Sequence, residues 1–401
     1  MEENFNNVEG LVIEEGKEKK KSNKNIIIIS IISISILVII IFIVVFFLLS
    51  KSPKEEEYRC DKGEDDKCLT CNDTNCGSCN YGYELIKGKC IPTFSFKATY
   101  ETVNHSEPVN LMDNYFLEKI IKIDIDEKSV EPCTNYTFES PGKHNIYVTL
   151  NTTNLTSLIY LFLDIKKMIS VIFTKNFDSS NINNMELMFF NCHKLASIDI
   201  SHFNIEKLET MRSAFYGCTS LVSLKLPKTK APNLKDLGNA FYGCSNMTSI
   251  DLSGLYPGNL KDLIALFYGC YSLTSIDLSN FNTQNVIDMK FLFYNCHNLK
   301  SINITHFYTE NVKEMSYMFY GCNSLTSVDL SNFNIKKANK IDNMFHGCKN
   351  LSYLDISHFN KTLEVDNFGK DISASGIVKA NKKFFETIKE YFEGWEIKLI
   401  N

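Results

Sequence analysis

The chain has 401 residues, 44% hydrophobic and 22% charged, with a formal net charge of -5 at pH 7. That balance excludes a disordered polyelectrolyte, and its mildly acidic sign excludes the basic footprint of a nucleic-acid partner. The length allows two or three domains with sizeable cores, and the 14 cysteines fall into two sets that need separate explanations.

Residues 1–25 are polar and read as a cytoplasmic tail. Between Ile26 and Leu49 lie 24 consecutive uncharged residues, interrupted only by Ser30, Ser33 and Ser35. As a helix with a rise of ~1.5 Å per residue this run is ~36 Å long, enough to cross a hydrocarbon core of ~30 Å. A cleaved signal peptide carries an apolar region of only about 7–15 residues before a small-residue cleavage site. This run is longer and ends Phe46-Phe47-Leu48-Leu49, so an uncleaved signal anchor over 26–49 is expected. Lys17, Lys19, Lys20, Lys21 and Lys24 crowd its N-terminal flank, whereas Lys51, Lys54 and Arg59 follow it among glutamates. The lysine and arginine bias places the N-terminus in the cytoplasm and the rest outside, as a single-pass plasma-membrane protein.

Residues 50–91 form a cysteine-rich stalk with Cys60, Cys68, Cys71, Cys76, Cys79 and Cys90. Two Cys-x-x-Cys pairs suggest zinc, but only four residues separate them, and the expected compartment is oxidising. Three disulfides are therefore expected, with all 15 pairings open. Residues 92–157 form a small β module with strands at Phe94–Tyr100, Ile120–Ile125 and Ile146–Leu150, divided by turn signals such as Pro141-Gly142. Cys133 is the odd cysteine of this region, either a buried thiol or a partner for another chain.

Residues 158–368 form a repeat solenoid, closed by a cap over 369–401. Cys192, Cys218, Cys244, Cys270, Cys296, Cys322 and Cys348 recur every 26 residues without insertion or deletion. In one unit, Leu273, Ile276 and Leu278 have the alternation of a short strand with one face inward, and Phe281, Val286, Met289 and Phe293 continue the apolar set around the coil. A Gly or Asn before each cysteine marks a turn with positive φ. One coil cannot bury its own face, but stacked coils with parallel strands can. Residues 158–191 read as a degenerate first coil, with Val171, Phe173 and Phe177 standing in for the strand. Asn381–Phe392 has helical spacing and Trp395, Ile397 and Leu399 alternate, so a helix and a strand are expected to close the last coil.

Several positions face outward. The repeat cysteines sit at an inward, apolar offset and are odd in number, which favours buried free thiols over disulfides. The strand carries Asp199, Lys225, Asp251, Asp277, Asn303, Asp329 and Asp355 at one offset beside a serine ladder. A second row precedes each cysteine by two: Phe190, Tyr216, Tyr242, Tyr268, Tyr294, Tyr320 and His346. Of these, Tyr216, Tyr242, Tyr268, Tyr294 and Tyr320 with Asp251, Asp277, Asp329 and Asp355 are candidate ligand-binding residues, because tyrosine offers a large contact area at little entropy cost. Asn-x-Ser/Thr sequons occur at Asn72, Asn104, Asn135, Asn151, Asn154, Asn246, Asn303, Asn350 and Asn360, all on the expected outside. There is no nucleophile motif, phosphate loop or metal signature, so neither an enzymatic activity nor a cofactor is expected.

Three resemblances attach to these residues. The run Cys68-Leu-Thr-Cys71, Cys76-Gly-Ser-Cys79, Gly82-Tyr83 and Gly88-Lys89-Cys90 resembles furin-like and EGF-like cysteine-rich modules, which implies a stapled stalk. Residues Tyr136–Val148 resemble the last hairpin of a PKD-type immunoglobulin-like sandwich. The pattern Phe-x-Gly/Asn-Cys-x-x-Leu-x-x-Ile-Asp-Leu-Ser-x-Phe-Asn resembles the BspA-like leucine-rich-repeat surface proteins. That resemblance implies a leucine-rich-repeat solenoid, a cell-surface role in adhesion or recognition, and an extracellular protein or glycan ligand. A structural surface coat without a specific ligand is the alternative, and the signal anchor with its stalk points to a microbial eukaryote.

Overall fold

A computed structural model of the chain describes residues 68–71, 76–79, 83–86, 89–106, 108–175 and 177–400. The chain divides into two compact units, Met1–Thr70 and Cys71–Asn401, and the β module and the repeats both belong to the second. The expected anchor over 26–49, the tail before it, and Cys60 and Asn72 lie outside the described residues. Among those described, no helix is long and apolar enough to cross a membrane. Of the six cysteines expected to staple a stalk, Cys79 and Cys90 are bridged, with Cα atoms 5.5 Å apart.

The β module is built on one antiparallel sheet, with a separate two-stranded ribbon beside it. Its spine is the strand Lys89–Thr102, which pairs first with Tyr83–Ile86 and then, over Thr93–Thr102, with Gly142–Asn151. Ile120–Ile125 pairs with the far side of Gly142–Asn151, and Lys128–Val130 closes that edge. The period-2 alternation of the sequence turns Phe94, Phe96, Ala98 and Tyr100 inward, together with Ile146, Val148 and Leu150 of the neighbouring strand. The expected hairpin over 136–148 does not form. Asn135–Thr137 pairs with Pro108–Asn110 instead, and the turn at Gly142 leads away into the main sheet. On its other side the spine accepts Met168–Phe173, again antiparallel. That strand belongs to the degenerate first coil, so module and solenoid share a core: Phe96 meets Phe162 at 5.1 Å, and Phe162 stacks on Phe189 at 5.3 Å.

From there the chain is a β-solenoid of about seven 26-residue coils. The inward set is as its spacing requires: Leu273, Ile276, Leu278, Phe281, Val286, Met289 and Phe293 are all buried. Short parallel strands form at Ser197–Asp199, Ser223–Lys225, Ser275–Asp277, Ser301–Asn303, Ser327–Asp329 and Tyr353–Ile356. The expected strand at 249–251 is not formed. It lies in the irregular part of the array, where Pro227, Pro232 and Pro257 remove backbone donors and the backbone of Lys228 approaches Gly254 too closely for any side chain there.

The stretch leading into each cysteine has a different architecture. In the coil ending at Cys192, the amides of Met185, Leu187, Phe189 and Asn191 donate to the carbonyls of Thr210, Arg212, Ala214 and Tyr216 of the next coil, at 3.1, 3.0, 2.8 and 2.7 Å. The intervening amides of Met188, Phe190 and Cys192 turn back onto Met185, Leu187 and Phe189 of their own coil. This ladder repeats from Leu158, which donates to Asn184, through Gly347, which donates to Lys370. It needs two left-handed residues per coil. One is the Gly or Asn before each cysteine, with φ between 57° and 74° from Asn191 to Gly347. The other, unforeseen, is Leu187, Ser213, Asn239, Ala265, Phe291, Tyr317 and Asn343, with φ between 52° and 62°.

At the far end the apolar spacing of 384–392 is real, but the segment is a one-turn helix, Lys382–Phe385, followed by a 3-10 turn, Lys389–Phe392, rather than one helix over 381–392. The break lies at Ile388, whose φ of -127° leaves the helical range. An unanticipated strand, Ile377–Asn381, pairs in parallel with Tyr353–Ile356, and Glu396–Ile400 pairs in parallel with it.

Two glycines test this architecture. At Gly217 an added methyl meets the Asn191 Oδ1 of the preceding coil, whereas at Gly243 the nearest atoms are 3.8 and 3.9 Å away. Alanine costs about 1–2 kcal/mol at either site through positive φ, and Gly217→Ala adds the collision. Gly217→Ala should therefore lower the melting temperature more than Gly243→Ala, and Asn191→Gly should remove the difference. Equal melting temperatures for the two alanine variants would contradict the register.

Candidate functional site

The aromatic row forms a continuous column. Ring centroids from Phe190 through Tyr216, Tyr242, Tyr268, Tyr294 and Tyr320 to His346 lie 4.7, 4.3, 4.2, 4.4, 4.7 and 4.6 Å apart, with interplanar angles of no more than 19°. The cause is the ladder, because Asn191, Gly217 and their equivalents bond to the carbonyls of Tyr216, Tyr242 and the rest and so hold each ring over the next. All seven side chains are half-buried. Their faces are spent on one another, and what they offer a ligand is a rim of ring edges and hydroxyls. Burial, then the neighbouring phenols, pushes the Tyr294 hydroxyl up to about 12 and the Tyr242 hydroxyl higher still.

The column widens at two coils. Phe291 and Tyr317, both at the left-handed offset, stack on each other at 5.0 Å. Phe291 meets Tyr294 edge-on at 5.5 Å, Tyr317 lies 5.9 Å from Tyr320, and the Lys290 ammonium sits 4.9 Å from the Phe291 ring. Bulky residues with positive φ are rare, and these escaped notice in the sequence because nothing in their residue type announces the backbone they occupy.

The strand aspartates have a structural task. Asp199, Asp251, Asp277, Asp329 and Asp355 each accept the amide of the serine two residues on, at 2.9–3.1 Å, which fixes the turn that ends the strand. The Ser201 hydroxyl and amide, with Lys225, lower the Asp199 carboxyl to about 2. Lys225 takes the aspartate's place in the coil where Pro227 has no amide to donate, and it pairs with Asp199 at 3.0 Å. Asp251, Asp277 and Asp329 are exposed, but Asp355 is only 6% exposed. The capping strand covers it and supplies Lys379 at 3.4 Å, so Asp355 leaves the set of surface candidates.

A further row was legible at the offset eight before each cysteine but went unread: Asn184, Thr210, Asp236, Asp262, Asp288, Glu314 and Lys340, joined by one parallel bridge per coil. Each side chain from Asn184 to Glu314 accepts the amide two residues on. Arg212 spans Asp236 and Asp262 at 3.3 and 2.9 Å, and burial raises the carboxyls of Asp236 and Asp288. Among the described residues no group of three or more His, Cys, Asp or Glu is arranged to hold a metal.

The seven repeat cysteines are buried and unbridged, each thiol donating to a phenylalanine carbonyl of the previous coil at 3.1–3.2 Å. Burial pushes these thiols up, to about 12 at Cys218 and Cys348, so they stay neutral. Cys133 is a half-buried free thiol. Of the sequons, Asn104, Asn135, Asn154, Asn246, Asn350 and Asn360 are exposed, and Asn151 and Asn303 are half-buried. The structure does not unite the two candidate rows: among the described residues no hydrogen bond, ion pair or ring contact joins the tyrosine column to a strand aspartate.

Fold and surface together define a repeat β-solenoid with stacked side-chain columns. The chain belongs to the family described as Mycoplasma protein of unknown function, DUF285, which matches residues 134–255 and 261–391. The break between the two matches falls beside Pro257, in the irregular part of the array. No curated protein and no solved structure matches the chain.

The raised phenols carry a sign. A tyrosine whose folded value lies above its ordinary value of 10.0 stabilises the fold fully below pH 10, and that contribution is lost as the pH rises to about 12 for Tyr294. Ultraviolet titration of phenolate should therefore resolve a late class of tyrosines, ionising toward pH 12 as the melting temperature falls. A single wave near pH 10 in a still-folded chain would rule the closed column out.

Proposed function

We propose that this chain is a cell-surface adhesin or recognition protein, of the BspA-like leucine-rich-repeat kind, that binds a host, matrix or neighbouring-cell protein or glycan through its solenoid surface. The observation that carries the reading is the half-buried aromatic column. Its edges and hydroxyls recur at 4.2–4.7 Å, a spacing suited to many weak contacts with an extended or repeated ligand. Tyrosine suits that task because a ring already fixed by its neighbours loses little freedom on binding.

The proposed setting is a single-pass plasma-membrane protein anchored by 26–49, with its N-terminus in the cytoplasm and a disulfide-stapled, furin-like or EGF-like stalk lifting the repeats outward. The lysine-rich flank, the uncharged run, the Cys79–Cys90 bridge and the exposed sequons support this placement. The second reading, a structural coat, is favoured by the evenness of the coils, which suits lateral packing as well as recognition.

The two separate when the full chain is displayed on heterologous eukaryotic cells with a C-terminal epitope. The epitope should label on intact cells, and the cells should adhere to epithelial monolayers or matrix-coated surfaces. Replacing Tyr242, Tyr268 and Tyr294 by phenylalanine keeps the stack and removes the hydroxyl rim, and should weaken adhesion by roughly fivefold, equivalent to ~1 kcal/mol. Absence of label on intact cells overturns the topology. Absence of adhesion favours the coat, and undiminished adhesion removes the hydroxyl rim from the binding surface.

A further inference from the structure

The outward face of the N-terminal sheet carries a hollow of about 800 Å³ that neither the repeats nor their columns explain. Its floor is set by strand register. Ile172 lies opposite Lys97, Lys97 opposite Tyr147, and Tyr147 opposite Asp124, so four strands contribute one row of side chains. A second row runs from Ser95 through Thr149 to Lys122, with the Ser95 and Thr149 hydroxyls 3.0 Å apart. Ile172 is 65% exposed and Tyr147 is 44% exposed, although both sit in a well-formed sheet. In that row Ile172 and Tyr147 stand on either side of Lys97, so an apolar side chain and a ring flank an ammonium group.

Three lysines, Lys97, Lys122 and Lys175, and two carboxylates, Glu84 and Asp124, line the hollow, and Glu84 acts on Lys122. Lys122 is taken up by Asp124 at 2.6 Å. Lys97 lies 5.1 Å from the centre of the Tyr147 ring, and exposed Lys175 stands at the rim. Among the described residues, neither Lys97 nor Lys175 has a carboxylate within ion-pairing distance. The hollow therefore joins an aromatic ring, two neighbouring hydroxyls and an excess of one ammonium group over its carboxylates, with Lys97 and Lys175 outside any ion pair among the described residues. Lys89–Thr102 and Gly142–Asn151, under the middle of the hollow, are paired on both sides, and Thr174 ties the end of the edge strand Met168–Phe173 to the Ser95 carbonyl at 2.9 Å. An extended peptide adding itself to a sheet needs a free strand edge. A sugar needs only side chains, with hydroxyl partners and a ring against which its C–H face can lie.

We propose that this hollow is a binding site for an acidic saccharide, a sugar bearing carboxylate or sulfate. Tyr147 and Ile172 form the platform, Lys97 and Lys175 hold the anionic group, and the Ser95–Thr149 pair meets the sugar hydroxyls. The site is distinct from the tyrosine column and does not depend on it.

The test is calorimetric titration of the full chain with a hyaluronan hexasaccharide, a heparin hexasaccharide, neutral maltohexaose and a short polyglutamate. Either or both acidic sugars should bind, and maltohexaose should not. Lys97→Gln combined with Lys175→Gln should weaken binding about tenfold or more, and Tyr147→Leu, which keeps an apolar side chain on the strand, roughly fivefold. Lys336→Gln, on an exposed corner of the repeats, should change it less than about twofold, as expected for a charge that touches no ligand. Melting temperatures should stay at the parent value, because the altered side chains are at least partly exposed. The site is refuted if neither acidic sugar binds, or if the Lys97 and Lys175 changes leave binding intact. Maltohexaose binding as tightly would remove the role of charge. Polyglutamate binding with the same sensitivity to the variants would make this an acidic-peptide site instead, and an equal loss with Lys336→Gln would reduce it to diffuse charge.

Discussion

The repeats depend on the backbone ladder in which alternate amides of one coil, such as Met185, Leu187, Phe189 and Asn191, bond to the carbonyls of the next. Four hydrogen bonds per coil contribute about 1 kcal/mol each. Against them stands the cost of a left-handed backbone, about 1–2 kcal/mol wherever the residue is not glycine. The ladder on its own therefore only modestly outweighs its strain. It prevails because it fixes each residue over its counterpart and turns 26-residue similarity into columns. The phenylalanine rings from Phe162 to Phe345 then stack at 5.3–5.7 Å in the core. An aromatic pair adds roughly 0.5–1.5 kcal/mol beyond the area it buries, so the gain accrues at every coil. One inserted residue would displace the phenylalanine, the cysteine and the left-handed glycine together. The unbroken 26-residue interval between cysteines is the consequence.

The same register explains why cysteine recurs without disulfides. The carbonyl of Phe189 already accepts the Cys192 amide at 3.2 Å, and the Cys218 thiol brings it a second donor at 3.1 Å. Alanine would leave that buried lone pair unmet, and a larger apolar side chain would overpack a position that is fully buried. A thiol is small, apolar and a weak donor, and burial keeps it protonated. The cysteines are thus a packing device of the coil, while the Cys79–Cys90 bridge ties the strand Cys76–Cys79 to the spine strand Lys89–Thr102, where Cys90 is buried.

The positions readable from sequence were those where chemistry and geometry coincide. Leu273, Ile276 and Phe293 are apolar because they face inward, and Gly217 is glycine because its φ is 70°. What escaped reading lies where geometry is imposed from outside the residue. Leu187, Ser213, Ala265 and Phe291 share a backbone conformation but no side-chain property, because the ladder and not local preference selects it. The hairpin expected over 136–148 carried the right turn residues, yet tertiary pairing with Pro108–Asn110 decided otherwise. The strand aspartates were legible as a row but not as turn caps, although Pro227 beside Lys225 held the clue that donor and acceptor vanish together. Among the candidate site residues, the order of the tyrosines followed from the repeat. That their faces are stacked shut, leaving only edges, is due to a ladder that is written in no single residue.

That distinction bears on where recognition would reside under the proposed function. A solenoid stabilises itself by making its coils alike, so the stacking of residues that recur in every coil is accounted for by stability, and what such a column adds for a partner is its rim of hydroxyls. Information for a partner is carried by departures that the ladder tolerates at a cost. Phe291 and Tyr317 are such departures: aromatic rings at φ of 60° and 62°, where the other coils place Leu187, Ser213, Asn239, Ala265 and Asn343. They double the width of the aromatic column at two coils and set Lys290 against its flank. Their strain is offset in part by ring contacts with Tyr294 and Tyr320, but alanine or asparagine would have held the backbone more cheaply. A coat built for uniform lateral packing gains nothing from one such place in its array. A receptor that must engage its ligand in a defined register needs one, and this asymmetry weighs the column toward recognition more than its length does.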